Sequence, residues 1–344
     1  MKLHFHMRWL RRIALALIVV VAIALGTGWW LLAGSLPQAD GRIAVAGLSA
    51  PVTIVRDANG VPTITARSQV AMVRALGFVH GQERFFQMDL LRRSGAGELS
   101  ELFGKATLKT DKDHRQHRFR ALAKKQIAML PPRQRKLLDA YTAGVNAGLA
   151  HLSVRPWEYL LLGAKPKPWT DADTFLTIDA MFFDLNGGNL QELDNASLHA
   201  ALPEPLADFL LAPSPRWEAP MQGGPAQPVA MPGADVFDLR RQHVPETALT
   251  HRRSPRAAFD VNHTEFGSNG FAVGGALTGG AALLANDPHL HLGVPNIWYR
   301  ARLRYPDPGD PEKRIDLNGV TLPGTAAMVI GSNGHIAWGF TNSM

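Results

Sequence analysis

Cysteine is absent from the 344 residues of this chain. That absence excludes disulfide scaffolds, cysteine nucleophiles, thiolate zinc sites and iron–sulfur clusters together. A G-x-S-x-G nucleophile elbow is missing as well, so the common hydrolase turn is not the setting of any serine chemistry here. The net charge is +7, yet no aromatic RNA-binding signature or helix-turn-helix pattern goes with it, and nucleic acid is not an expected partner. The basic residues gather in two places. Residues 1–12 carry Lys2, Arg8, Arg11 and Arg12 with no acid; residues 105–125 interleave bases and histidines with only Asp111 and Asp113. A solvated helix face accounts for the second cluster. With 46% hydrophobic and 19% charged residues, the chain has the composition of a folded globular protein of one large or two ordinary domains.

Residues Ile13 to Ala33 hold no charge and no proline. As a helix they span about 31 Å, the thickness of a bilayer's hydrocarbon core. The bases before them orient the start toward the cytoplasm, and Trp29 and Trp30 suit the far interface. An uncleaved, single-pass anchor in a bacterial-type inner membrane, with the body periplasmic, is expected. A signal peptide cut after Ala22-Ile23-Ala24 is the alternative. Either way the remainder is exported.

Beyond Pro37 the runs are short. Val52 to Val55 and Pro62 to Thr65 flank Asp57-Ala58-Asn59-Gly60 and predict a β-hairpin. Helical spacing follows over residues 69–103, over 122–152 with an interruption at Pro131-Pro132, and over 171–199 with a break at Asn186 to Asn189. Residues 213–233 hold six prolines and three glycines, a linker composition read equally well as a surface loop or a removable spacer. From Gly270 the chain turns strand-like. Phe271 to Val273 and Ala282 to Ala285 form a second hairpin signal, Trp298 to Tyr305 alternates, and Ala326 to Ile330 precedes a turn at Ser332-Asn333-Gly334. Helices first and strands afterwards predict an α+β fold, with an antiparallel sheet built largely by the second half. The expected segments are 1–34 (tip and anchor), 35–212, a spacer at 213–267, and 268–344.

Gly267-Ser268-Asn269-Gly270 taken alone is a turn. Its place, behind a spacer and at the head of a strand, suggests more. A serine released as a new amino terminus carries its own base, an α-amine with a pKa of about 7.7–8.0. Through a water that amine can take the hydroxyl proton as Oγ attacks an amide carbonyl. Cleavage between Gly267 and Ser268 is then an activation step.

Several longer motifs accompany this one. They are Arg56-Asp57 with Gly60-Val61-Pro62; Gly77-Phe78-Val79-His80-Gly81-Gln82-Glu83-Arg84-Phe85-Phe86-Gln87-Met88-Asp89; Asn286-Asp287-Pro288-His289-Leu290; and Gly331-Ser332-Asn333-Gly334-His335-Ile336-Ala337-Trp338-Gly339. Together and in this order they resemble precursors of the penicillin acylase family, amino-terminal-nucleophile amidohydrolases that include penicillin, cephalosporin and acyl-homoserine-lactone acylases. The resemblance implies a four-layer αββα architecture and self-cleavage into α chain, spacer and β chain, the α and β chains staying associated. It implies Ser268 as nucleophile, His289 near the serine amine, and the backbone N–H of Asn342 as an oxyanion donor, a type of contact worth about 3 kcal/mol. Met181, Phe182 and Leu185, with Leu290 opposite, match the acyl-pocket region, and Glu192 matches a ligand of a structural Ca2+. No organic cofactor is implied. The expected reaction is hydrolysis of a linear, small-molecule amide through an acyl ester on Ser268.

Family β chains run on for several hundred residues, so the sequence is expected to be the front portion of a longer enzyme. Two other readings stand beside the acylase. One is a catalytically inactive, membrane-tethered fragment that binds acylated small molecules; the other is a metal hydrolase using His289 and His291.

Overall fold

The computed structural model describes residues 2–185, 190–212, 223–224, 227–241, 267–290 and 292–341. The chain divides into two compact units, Met1–Phe182 with Gly267–Met344, and Phe183–Phe266. Most of the expected spacer, and the break at 186–189, lie outside the described residues.

In the first unit, helix α1 (Lys2–Gly34) precedes the hairpin β1 (Thr53–Arg56) and β2 (Pro62–Thr65). The hairpin turn is closed by Asp57, whose Oδ1 accepts from the N–H groups of Asn59 and Val61, both at 2.9 Å. Gly60 supplies the positive φ of 76° that the turn needs. Helices α2 (Gln69–Glu83), α3 (Phe85–Ala96), α4 (Ser100–Phe103), α5 (Leu108–Arg115), α6 (Phe119–Ala128), α7 (Pro132–Ala150), α8 (Trp157–Leu161) and α9 (Asp171–Leu185), whose last three residues fall in the second unit, follow. After Gly267 the chain is mostly strand: β3 (Gly267–Val273), β4 (Leu283–His289), β5 (Tyr299–Pro306), β6 (Arg314–Thr321), β7 (Met328–Ser332) and β8 (Ala337–Trp338). The second unit carries α10 (Leu190–Ala201) and α11 (Glu204–Leu211), which pack on each other.

β3 and β4 form a two-stranded sheet, and the other strands form a six-stranded sheet in the order β1-β2-β5-β6-β7-β8. The second half supplies four of the six strands, as expected, and four of the five pairings are antiparallel; the departure is at the early hairpin. The early hairpin joins that sheet through a parallel pairing of β2 with β5, Ile64 opposite Leu303. Two four-residue strands cannot bury their apolar face alone, and the helices between them and β5 supply the long crossover that a parallel pair requires. β5 alternates strictly. Tyr299, Ala301, Leu303 and Tyr305 are buried, while Arg302 and Arg304 point outward and pair with Asp316 of β6 at 2.7 and 3.3 Å.

α2 lies between this sheet and α7 and is buried on both sides. Its start is capped by Ser68, whose Oγ accepts from the Ala71 N–H at 3.2 Å. The seam with α7 is made by glycines from both helices. A Cβ at Gly77 or Gly81 would stand 2.4 or 2.2 Å from the Tyr141 and Val145 carbonyl oxygens, and one at Gly144 or Gly148 about 2 Å from those of Arg74 and Phe78. The two backbones touch, and nothing larger than hydrogen fits between them.

A chain of buried hydrogen bonds crosses this core. The Gly324 N–H donates to Tyr141 Oη (2.9 Å), which reaches His80 Nδ1 (2.7 Å); His80 Nε2 reaches Thr321 Oγ1 (3.0 Å), which donates to the Tyr299 carbonyl (3.2 Å). Because the Thr321 proton is spent on Tyr299, Nε2 carries the imidazole proton and Nδ1 accepts from Tyr141. The Tyr299 hydroxyl in turn donates to Glu83 (2.9 Å), which pairs with Arg56. A second buried cluster surrounds Asp89, which accepts from Arg92 Nε (2.7 Å) and Tyr159 Oη (2.6 Å) and pairs with Arg93 (3.0 Å).

Candidate active site

The site is built on the β3–β4 hairpin. Gly274 to Gly280 connect the strands through one helical turn, closed by the Gly280 N–H on the Gly275 carbonyl (3.1 Å) and by Thr278 Oγ1 on the Ala281 carbonyl (2.7 Å). The register sets Gly267 opposite His289, Ser268 opposite Pro288, and Asn269 opposite Asp287. The Gly267–Ser268 bond therefore lies inside a paired strand, in extended backbone. Side chains alternate along a strand, so Asn269, Asp287 and His289 share one face and Ser268 takes the other. On the shared face His289 Nε2 lies 3.0 Å from Asp287 Oδ2, and Asn269 Nδ2 lies 3.4 Å from both Asp287 Oδ2 and His289 Nε2. The hydrogen bonds from His289 and, less, from Asn269 hold the Asp287 carboxyl below the usual carboxylate range. Asp287 was not singled out from the sequence, although its place two residues before His289 on a strand put both on one face.

The remaining candidates lie on other elements. Met181 and Phe182 lie at the end of α9, Met181 half-buried and Phe182 exposed, and Leu290 is half-buried just beyond β4. Phe182 stands edge-on to His117 (5.6 Å) and Phe119 (5.7 Å). Those two residues sit inside the basic cluster, and the sequence marked them only as part of a solvated face. Leu185 and Glu192 belong to the second unit, Glu192 exposed on α10. Among the described residues no group of three or more His, Asp or Glu is placed to hold a metal ion, so Glu192 has no companion ligands there. Asn342 and His291 lie outside the described residues.

Two of the long motifs build the fold. Gly77 to Asp89 supplies the glycine seam, buried His80, Glu83 and buried Asp89. Gly331 to Gly339 is the β7–β8 hairpin, in which Asn333 Oδ1 accepts from the N–H groups of His335 (2.9 Å) and Ile336 (2.8 Å).

The family model for penicillin amidase matches residues 51–344, from just before β1 through the whole β3–β8 region. The chain belongs to the penicillin amidase family. Among its relatives, the penicillin acylase 2 proenzyme of Pseudomonas sp. (strain SE83) is 30% identical over 91% of this chain and 39% of its own length. The acyl-homoserine lactone acylase QuiP of Pseudomonas fluorescens (strain Pf0-1) is 28% identical over 97% of this chain and 40% of its own length. A solved structure titled thermostable penicillin G acylase from Alcaligenes faecalis aligns at 29% identity with a TM-score of 0.43, covering 51% of this chain and 98% of that one. The chain thus spans about two-fifths of the length of these two curated penicillin amidase relatives.

Proposed function

We propose that this protein is an acylase precursor that hydrolyses a linear amide to a carboxylic acid and an amine. The observation that carries the reading is the Gly267-Ser268-Asn269 segment within the family's matched region, in a strand paired to Asp287 and His289. The chain cuts itself between Gly267 and Ser268. The freed amine, acting through a water, accepts the Ser268 hydroxyl proton as Oγ attacks the substrate carbonyl. Asn342 N–H holds the oxyanion, the amine leaves with a proton, and water then hydrolyses the acyl ester. His289, oriented by Asp287, sits across the sheet from the bond to be cut and orders the surroundings of the new amine. Met181, Phe182 and Leu290 take the acyl group, of the class carried by a penicillin or an acyl-homoserine lactone, the compounds in the relatives' names. A structural Ca2+ through Glu192 would draw its other oxygens from beyond the described residues.

The fold proposed for the completed sheets is the four-layer αββα arrangement. The two pieces stay together after the cut because β2 pairs with β5 and His80 bonds to Thr321, joining residues from both sides of the spacer.

Ser268→Ala tests the mechanism. Self-cleavage and amide hydrolysis should both disappear, measured by intact mass and by release of free amine. Hydrolysis that survives the substitution would refute the mechanism.

A further inference from the structure

Three hydrogen bonds converge on the carboxamide of Asn286, in the middle of β4. Its Nδ2 donates to the Asn269 carbonyl (2.9 Å) and to the Phe340 carbonyl (2.9 Å), and its Oδ1 accepts from the Phe340 N–H (3.1 Å). The pairing with Phe340 is two-pointed, as between peptide groups on neighbouring strands. A side chain here does the work of a ladder between β3–β4 and the segment after β8, which share none among the described residues. The surroundings are cut to fit it. A Cβ on Gly339 would lie 2.6 Å from Asn286 Oδ1, and one on Gly270 would lie 3.2 Å from Thr341 Cγ2 and 3.7 Å from Asn286 Nδ2.

We propose that Asn286 is a positioning residue for the acylase reaction, and the proposal rests on the acylase reading above. It grips the carbonyl one residue after Ser268 and, in the same amide plane, both backbone groups of Phe340, two residues before Asn342. It thereby ties the residue after the nucleophile to the segment that leads to the proposed oxyanion donor. An oxyanion donor works only at about 2.7–3.1 Å from the developing charge. Among the described residues the segment after β8 has no backbone pairing with β3 or β4 to hold it in place, and a displacement of about 1 Å can cost about 100-fold in rate. The Asn286 carboxamide bonds to backbone groups of Asn269 and Phe340, so its removal should be felt in turnover rather than in substrate binding.

The test compares Asn286→Ala and Asn286→Asp with the parent in the full protein. Aspartate keeps the shape but sets a carboxylate oxygen against two carbonyls in place of a donor. Expected are a fall in kcat of about 100-fold, a KM within about threefold, and an unchanged pH midpoint for kcat/KM, since the Ser268 amine is untouched. A retained kcat in folded Asn286→Ala overturns the proposal, as does a lower melting temperature with kcat intact, which would mark a purely structural link. If neither variant folds, Gly339→Ala, which pushes on the same Oδ1, decides by the same criterion. A parent that neither cuts itself nor hydrolyses any amide sinks the acylase reading and this proposal with it. An active parent with an indifferent Asn286 sinks this proposal alone.

Discussion

At the scale of single residues, His80 shows how burial settles a protonation state. It is fully enclosed, and desolvation, with a smaller push from the Arg84 charge, lowers its pKa to about 3. The unfolded chain takes up a proton near pH 6.5, so His80 contributes its full stability above that pH. The contribution is lost as pH falls from 6.5 toward 3, at about 1.4 kcal/mol per pH unit. Asp179 works in the opposite sense. Its Oδ2 is buried without a hydrogen-bond partner among the described residues, and desolvation raises its pKa to about 6. That contribution is present below the ordinary carboxylate pKa and fades as pH rises through 6. A comparison with His80→Gln isolates the histidine. The variant should melt lower than the parent at pH 8, and the gap should narrow steadily between pH 6.5 and 5. Parallel melting curves across that window would mean that His80 is not held neutral in the folded protein.

Among elements, the α2–α7 seam is the most exacting. Its four glycines let two backbones meet, and the same contact brings His80 to Tyr141 and presents α2 to β2 and β5. Gly144→Ala places a methyl where the Arg74 carbonyl oxygen already lies about 2 Å away. Forcing the helices apart should cost about 3 kcal/mol and lower the melting temperature by roughly 10 °C. An exposed glycine such as Gly26, with nothing within 4 Å of its would-be Cβ, provides the control; Gly26→Ala should leave the melting temperature unchanged. Equal effects at the two positions would remove the seam from the account of stability.

For the whole molecule, the question is whether the amino-terminal helix is a membrane anchor or a signal sequence. Residues Arg11–Gly34 of α1 are long and apolar enough to cross a bilayer, with a mean hydropathy of 2.4 over an 18-residue window, none of it buried. Its end docks on the body, where the Val154 N–H donates to the Gly34 carbonyl at 2.9 Å and Ser35 is buried. An uncleaved anchor predicts that the protein stays with membranes through an alkaline carbonate wash and leaves them in detergent. A soluble protein whose amino terminus follows Ala24 would identify the helix as a signal sequence instead.

Much of the local structure was legible without coordinates. Asn59-Gly60 between alternating runs marked the first hairpin, the period of two marked β5, and the same period sets Asp287 beside His289. These features depend on neighbours two to four residues apart, which a linear chain displays directly. Partner choice depends on residues far apart in sequence, and only the tertiary structure decided it. The parallel docking of β2 on β5, the tautomer of His80 read through Thr321, and the pairing of Phe182 with His117 and Phe119 are all of this kind. So is the bridge from Asn286 to Phe340. In the sequence Asn286 is one asparagine in a short motif. Its geometry exists only because the segment after β8 is packed close enough to β4 for one amide to span the gap.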